Sequence, residues 1–124
     1  MKRNIKERIA DAWLSEATRK SPDKITVQEL VVKCEISRQT FYKYFQDIID
    51  VMRWVCERDL ENAYKGYTEI EDSNSAMAFF VSRIMEKHGI LCKVLGSNFH
   101  EQARQIFEGS LRRLVIEEIE KRTS

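Results

Sequence analysis

The sequence predicts an all-α protein in which a three-helix head is followed by a short helical body. Apolar residues recur at helical spacing along most of the 124 residues. Residues that break helices are few, because the chain has one proline, Pro22, and four glycines, all at or after Gly66. Several Ser, Thr, Asp and Asn residues also stand where helices are expected to start. We expect the head in residues 1–46 and the body in residues 47–124.

The first predicted helix covers about residues 4–20, because its apolar residues recur every four positions and Pro22 follows it. The second begins at Thr26, which forms a capping box with Glu29, and extends to about residue 34. Ser37 is a good N-cap for a third, short helix over residues 38–45. Two short helices joined by a tight turn are therefore expected.

Composition argues against several classes of protein. The chain has no unbroken apolar run of the length that a signal peptide or a membrane span requires, so we expect a cytoplasmic protein. The three cysteines are widely spaced, which disfavours a disulfide framework or a zinc site. His88 and Cys92 are four residues apart, but Gly89 should interrupt a helix between them. We expect no metal, no cofactor and no enzyme activity, because no catalytic arrangement of side chains is visible.

Charge is divided unequally between the two parts. Residues 1–46 contain ten Lys or Arg and six Asp or Glu, for a net charge of +4, whereas residues 47–124 contain eleven and fourteen, for −3. A basic head suits contact with a polyanion, although an ordinary solvated surface remains the alternative.

The third predicted helix has an apolar face and a polar face. Phe41 and Phe45 lie four residues apart and are expected in the core, while Arg38, Gln39, Thr40 and Lys43 point elsewhere. A short helix held crosswise on its predecessor can place such a polar face in the major groove of DNA. Arg can bind guanine and Gln adenine, and Lys43 and nearby hydroxyls can contact phosphates. The alternative is a solvated face without DNA contacts.

The stretch ITVQELVVKCEISRQTFYKYFQDIIDV, residues 25–51, resembles the DNA-binding domain of the TetR family of bacterial regulators. It is most similar to a branch that includes regulators of dihydroxyacetone-kinase operons. The matching positions are Thr26, Ser37, Thr40, Phe41, Tyr42 and Phe45. The resemblance implies double-stranded operator DNA as the partner, with base contacts from Arg38, Gln39 and Lys43, and phosphate contacts from Thr26, Ser37, Tyr42 and Tyr44.

Three positions depart from the family's pattern. Glu35 occupies the turn where many members have glycine, and a non-glycine residue with positive φ costs about 1 kcal/mol if the turn keeps that geometry. We therefore expect a slightly different turn. Ile48 stands where many members have a lysine that contacts phosphate, and Tyr44 stands where histidine is frequent. Family members usually have a longer body, so the chain is either naturally short or truncated.

The body is predicted to contain a long fourth helix capped by Asp47 and a fifth helix capped by Ser75 and ended by Gly89. An apolar run over residues 90–95 precedes a last helix over about residues 98–122. Soft and aromatic side chains of the body are candidates for a small apolar ligand, with ordinary core as the alternative. These are Met52, Trp54, Met77, Phe80 and Met85. Control by a protein co-regulator, with no small-molecule pocket, is the rival hypothesis.

A homodimer is expected, because one recognition helix reads only a few base pairs and specific binding needs two heads. The predicted pairing surface is an apolar stripe on the last helix, with help from the fifth. Its members are Phe99, Ile106, Phe107, Leu111 and Leu114. The alternative is that this stripe is internal core.

Overall fold

The protein is all-α, as predicted. The computed structural model describes residues 4–123, which form seven α-helices and one short 3-10 turn at Pro22–Lys24. The head contains α1 (Ile5–Ala17), α2 (Val27–Cys34) and α3 (Arg38–Tyr44). The body contains α4 (Ile48–Thr68), α5 (Ser73–Met85), α6 (His88–Leu95) and α7 (His100–Thr123).

The helix starts predicted in the head are confirmed. Asn4 caps α1, and Thr26 forms the complete capping box with Glu29 at the start of α2. Ser37 caps α3 by accepting a hydrogen bond of 3.0 Å from the Thr40 N–H. These caps depend on residues three positions apart in the chain, so they can be recognised without tertiary information.

The fifth helix begins and ends earlier than predicted. Asp72, not Ser75, is its N-cap, and the Asp72 carboxylate accepts the Ser75 N–H at 2.8 Å. The helix ends at Met85, and Gly89 lies inside α6 instead of ending α5. Glycine costs only about 1 kcal/mol in a helix, so burial of an apolar face can outweigh it.

The last helix begins at His100, two residues later than predicted. Asn98 precedes it, and its backbone N–H donates to the Asp23 carboxylate at 2.7 Å. A contact between residues 75 positions apart thus fixes the approach to α7, which no local pattern could reveal.

A single buried cluster joins the head to the body. It contains Trp13 and Phe41 from the head, Val55 from α4, and Val94 and Ala103 from α6 and α7. A smaller cluster at the far end of α4 contains Leu60, Tyr64 and Leu114. The helix α4 contacts α1, α5 and α7 and so connects the two parts. Among the described residues, no helix is long and apolar enough to cross a membrane.

Candidate nucleic-acid interface

The turn between α2 and α3 adopts the left-handed geometry that glycine favours. Glu35 has φ 56° and ψ 45°, and it is the only non-glycine residue with positive φ among residues 4–123. Its N–H donates to the Val32 carbonyl at 3.2 Å, and the Ile36 N–H donates to the Val31 carbonyl at 3.0 Å. This pair of bonds is a Schellman motif. The expectation of a different turn is wrong, because these bonds hold the geometry despite the side chain of Glu35.

The helix α3 is anchored by its aromatic face. Phe41 is fully buried and Phe45 nearly so, with ring centroids 5.9 Å apart. The Phe45 ring also meets the edge of Trp54 from α4 at 6.3 Å. Because one face of α3 is held in the core, its opposite face is directed outward.

The predicted DNA-contacting residues lie on or beside this outward face. Thr40 is half-buried, and the other seven are exposed: Thr26, Ser37, Arg38, Gln39, Tyr42, Lys43 and Tyr44. Several of the hydroxyls already have hydrogen-bond partners within the protein. The Thr26 hydroxyl accepts the Glu29 N–H at 3.1 Å, and the Ser37 hydroxyl donates to the Thr40 hydroxyl at 2.9 Å. Tyr42 and Tyr44 extend further from the backbone and present both an aromatic body and a polar tip.

Arg38 is held across the outward surface. Its guanidinium lies over the Tyr42 ring, 5.9 Å from the centroid, and donates to the Tyr42 hydroxyl at 3.4 Å. It also donates to the Gln28 amide oxygen at 3.5 Å, which links α3 to the start of α2. Gln28 was not identified from the sequence, although its place two residues after the Thr26 cap marks it as an exposed residue of the first turn. The arrangement limits the rotamers available to the Arg38 side chain.

A charged network fixes α1 against α2. Glu16 is buried, and its carboxylate accepts from Lys33 at 3.3 Å and from Arg19 at 3.2 Å. Lys20 donates to Glu29, and this bond holds the pKa of the Glu29 carboxyl below its ordinary value. By contrast, Arg38 and Lys43 of α3 have no carboxylate partner among the described hydrogen bonds and ion pairs.

The position taken by lysine in many TetR-family proteins has a structural role in this chain. Ile48 is partly buried against the core cluster at the start of α4. Before that helix, the Lys6 ammonium lies 5.6 Å from the centroid of the Phe45 ring, at the end of α3.

The Lys93 side chain of α6 and a backbone N–H of the turn after α6 connect the body to the head. The Lys93 ammonium of α6 donates to the carbonyls of Ala17 and Thr18 at the end of α1, at 3.1 and 2.9 Å. A cation is favourable there, because the end of a helix carries partial negative charge. The Asp23 carboxylate accepts the Asn98 N–H, and this bond lowers the pKa of Asp23. The orientation of the head is therefore tied to the position of α6.

An apolar cavity of about 120 Å³ lies between α1 and the body. Of the five residues proposed to bind a ligand, only Met52 lines it. Trp54 packs on Phe45, Phe80 packs on Tyr67 in the smaller cluster, and Met77 and Met85 are about half exposed. The apolar walls of the cavity come from α1 and from four helices of the body: Trp13, Leu14, Met52, Val55, Leu60, Ile84, Ile90, Leu91, Val94, Ala103, Ile106 and Phe107.

The stripe proposed as a pairing surface on the last helix is largely internal. Leu114 is buried in the smaller cluster, Phe107 packs against that cluster, and Ile106 and Phe99 pack against the larger one. The exposed apolar residues of α7 are instead Val115, Ile116 and Ile119, each about half exposed. A second exposed stripe on α5 contains Met77, Val81 and Met85.

His88 and Cys92 both lie on α6, so the interruption expected at Gly89 is absent. Within the described part of the chain, no group of three or more His, Cys, Asp or Glu residues could hold a metal ion.

No model of a known protein family matches the chain, and no curated protein sequence matches it. Among solved structures, the chain is similar to the fatty acid degradation regulator FadR from Bacillus halodurans, with a TM-score of 0.63. The match has 18% sequence identity and covers 98% of this chain and 72% of that chain. The likeness therefore shows a shared helical fold.

Proposed function

We propose that this chain is a sequence-specific DNA-binding transcriptional regulator of the TetR type, acting as a repressor in the cytoplasm. The observation that carries the proposal is the outward polar face of α3, opposite the buried Phe41 and Phe45. A short helix anchored in this way, after a tight turn, is the element that helix-turn-helix proteins place in the major groove. In this assignment residues 1–46 are the DNA-binding domain and residues 47–124 are the sensing and pairing domain.

The exposed side chains divide into two roles. Arg38 and Gln39 are at the start of α3 and are proposed to contact base edges, Arg38 at guanine and Gln39 at adenine. Lys43, Tyr42 and Tyr44, with the hydroxyls of Thr26, Ser37 and Thr40, are proposed to position the helix by contacting the sugar-phosphate backbone. The contact of Arg38 with Gln28 and Tyr42 reduces the side-chain freedom that binding would otherwise remove.

A ligand-responsive regulator is the form of this function that we favour. The apolar cavity supports it, because a protein controlled only by a protein partner has no need of one. The bonds from Lys93 and Asn98 offer a physical route from the cavity to the head, since α6 both lines the cavity and holds the end of α1. The similar structure is that of a regulator of fatty acid degradation, which supports a regulatory role for this fold.

The exposed stripes on α5 and α7 favour a second element of the proposal, a homodimer. The stripe through Phe107 and Leu114 on α7 packs inside the body, so it is not free to pair with a second copy. We therefore assign the pairing surface to the exposed apolar residues of α7, with help from those of α5: Val115, Ile116, Ile119, Met77, Val81 and Met85. The same stripes would also suit a protein co-regulator, which remains the alternative mode of control.

Binding to duplex DNA tests the function. Duplexes enriched from a random pool by the protein would be titrated by fluorescence anisotropy at about 50 and 200 mM salt. Neutralising about two phosphates per head gives at least a tenfold loss of affinity between these conditions. Failure to enrich any duplex, or an affinity insensitive to salt, would contradict the proposal.

A further inference from the structure

We propose that Lys6, in the first turn of α1, contacts a phosphate of the DNA backbone beside the end of α3. The inference rests on the proposed function, and it adds a contact from a helix to which no DNA-binding residue has been assigned. Because a phosphate carries no sequence information, Lys6 should raise the affinity for every duplex without reading a base.

The ammonium group of Lys6 lies beside the C-terminal end of α3. Lys6 is the second residue of α1, and its Nζ is 5.6 Å from the centroid of the Phe45 ring. Phe45 caps the end of α3, where its N–H donates to the Phe41 carbonyl at 3.0 Å. Asn4, before α1, and Tyr44, in the last turn of α3, are both exposed. The start of α1 and the end of α3 therefore meet at the surface of the head.

The Phe45 ring gives Lys6 a fixed support. The ring is only 3% exposed, and it contacts the rings of Phe41 and Trp54 at centroid distances of 5.9 and 6.3 Å. A half-buried lysine in such a place can cover apolar surface with its stem and keep its ammonium group in water. Attraction between the cation and the ring restricts the side chain, so binding removes less of its freedom. The ammonium group has three N–H donors, which leaves donors for a phosphate oxygen.

The charge of Lys6 is available to a phosphate. Among residues 4–123, the described hydrogen bonds and ion pairs give Lys6 no carboxylate partner. The two carboxylates at the start of α4 have other partners. Asp47 accepts the Asp50 N–H at 2.8 Å, while Asp50 accepts the Gln46 N–H at 2.9 Å and lies 3.2 Å from the Arg53 guanidinium. A DNA phosphate would therefore supply an anion that Lys6 lacks.

The dimensions of α3 and of the DNA groove bring this end of the helix near a phosphate chain. With seven residues and a rise of about 1.5 Å for each, α3 is about 10 Å long. The major groove is about 12 Å wide, and phosphate chains border it on both sides. When Arg38 and Gln39 in the first turn of α3 reach base edges, its last turn, with Lys43, approaches the border of the groove. Lys6 lies beside that turn, so it extends the phosphate contact from α3 to α1.

A contact from α1 would help to fix the angle of the head on DNA. Phosphate contacts set the register and orientation of a DNA-binding protein, and contacts from two helices restrain rotation more than contacts from one. The Arg8 guanidinium of α1 donates to the Cys34 carbonyl at the end of α2, so α1 is itself joined to the helix that precedes α3. Restraint at Lys6 therefore acts on all three helices of the head.

The salt dependence of DNA binding tests the inference. The parent, Lys6→Gln and Lys6→Arg would be titrated with an enriched duplex by fluorescence anisotropy at about 50 and 200 mM salt. One phosphate contact contributes about 0.9 to the slope of log affinity against log salt concentration, so Lys6→Gln should reduce the loss of affinity over this range by about three- to fourfold per head. The reduction should be equal for all duplexes. Lys6→Arg keeps the charge and should retain the slope of the parent.

Lys24→Gln is the matched control, because it removes one exposed cation from the opposite side of the head. Lys24 follows Asp23, whose carboxylate accepts the Asn98 N–H of the body at 2.7 Å. The control should keep the slope of the parent. Replacement of single phosphates by uncharged methylphosphonates then locates the contact. At one phosphate of each half-site, the parent should lose affinity while Lys6→Gln loses none.

The outcomes separate this inference from the proposed function. If the parent binds the enriched duplex but Lys6→Gln and Lys24→Gln have equal slopes, the inference is wrong and the proposed function stands. A scan in which Lys6→Gln and the parent respond alike at every phosphate would also overturn the inference. A parent that enriches no duplex would refute both.

Discussion

Glu35→Gly should stabilise the protein. The left-handed conformation costs a non-glycine residue about 1–2 kcal/mol, and Glu35 adopts it with φ 56°. Glycine removes this cost but loses about 0.5–1 kcal/mol through its greater freedom in the unfolded chain. The net gain is about 0.5–1 kcal/mol. An unfolding entropy of about 2.1 cal/mol/K per residue, over 124 residues, converts this into a rise in Tm of about 2–4 °C.

The assay is thermal unfolding followed by circular dichroism. Glu117→Gly is the matched control, because it makes the same chemical change at an exposed position inside the right-handed α7. It should cost about 1 kcal/mol. If Glu35→Gly lowers Tm as much as the control does, the left-handed turn and the reasoning built on it are wrong.

Three further predictions concern the core, the cysteines and the contact between the head and the body. Phe45→Ala should lower the free energy of unfolding by about 3–5 kcal/mol. Because one buried cluster spans the head and the body, the denaturant midpoint of the whole chain should fall in a single transition. A loss below about 1 kcal/mol would show that Phe45 is not part of a packed core. Partial burial raises the pKa of the Cys56 thiol to about 11, so an aromatic disulfide reagent near neutral pH should modify exposed Cys92 first and Cys56 much more slowly. Equal rates for the two thiols in the folded protein would contradict this difference in exposure. The hydrogen bond from the Asn98 N–H lowers the pKa of the Asp23 carboxyl below its ordinary 3.8, so the carboxylate stabilises the fold above that value. This stabilisation is lost as the pH falls through the lower pKa of the folded protein. Asp23→Asn should therefore lose less stability than the parent does between about pH 5 and 3, and an equal loss would contradict the contact.

The helix starts of the head could be predicted because their evidence is local. Thr26 with Glu29, and Ser37 with Thr40, form hydrogen bonds three residues apart that any chain with these residues can form. The start of α5 was misplaced because Asp72, Ser73 and Ser75 are all good caps within four residues. The free energies of capping by these three residues differ by less than the packing of α5 contributes, so the sequence does not show which one is the cap.

The cavity could not be predicted, because it is formed where five helices meet. Periodicity identifies the apolar face of each helix but does not reveal which part of that face remains unfilled. Met52 was identified, whereas Trp13 was assigned to the core of the head, where most of its surface does lie. For the same reason, the stripe through Phe107 and Leu114 on α7 was expected at a dimer interface but is covered by α4 and α5. Sequence alone does not show which of two apolar stripes is covered.

In the proposed function, α3 reads DNA through Arg38 and Gln39 and is positioned by Lys43. The most direct measurement compares the affinities of the parent, Arg38→Ala and Lys43→Ala for an enriched duplex and for single-base variants of it. Lys65→Ala, which removes one exposed cation at the far end of α4, controls for net charge. Arg38→Ala should cost about 1–3 kcal/mol on the enriched duplex and lose discrimination at one base pair, whereas Lys43→Ala should weaken binding to all the duplexes alike. An Arg38→Ala protein that binds with the affinity and base preference of the Lys65→Ala control would contradict the account.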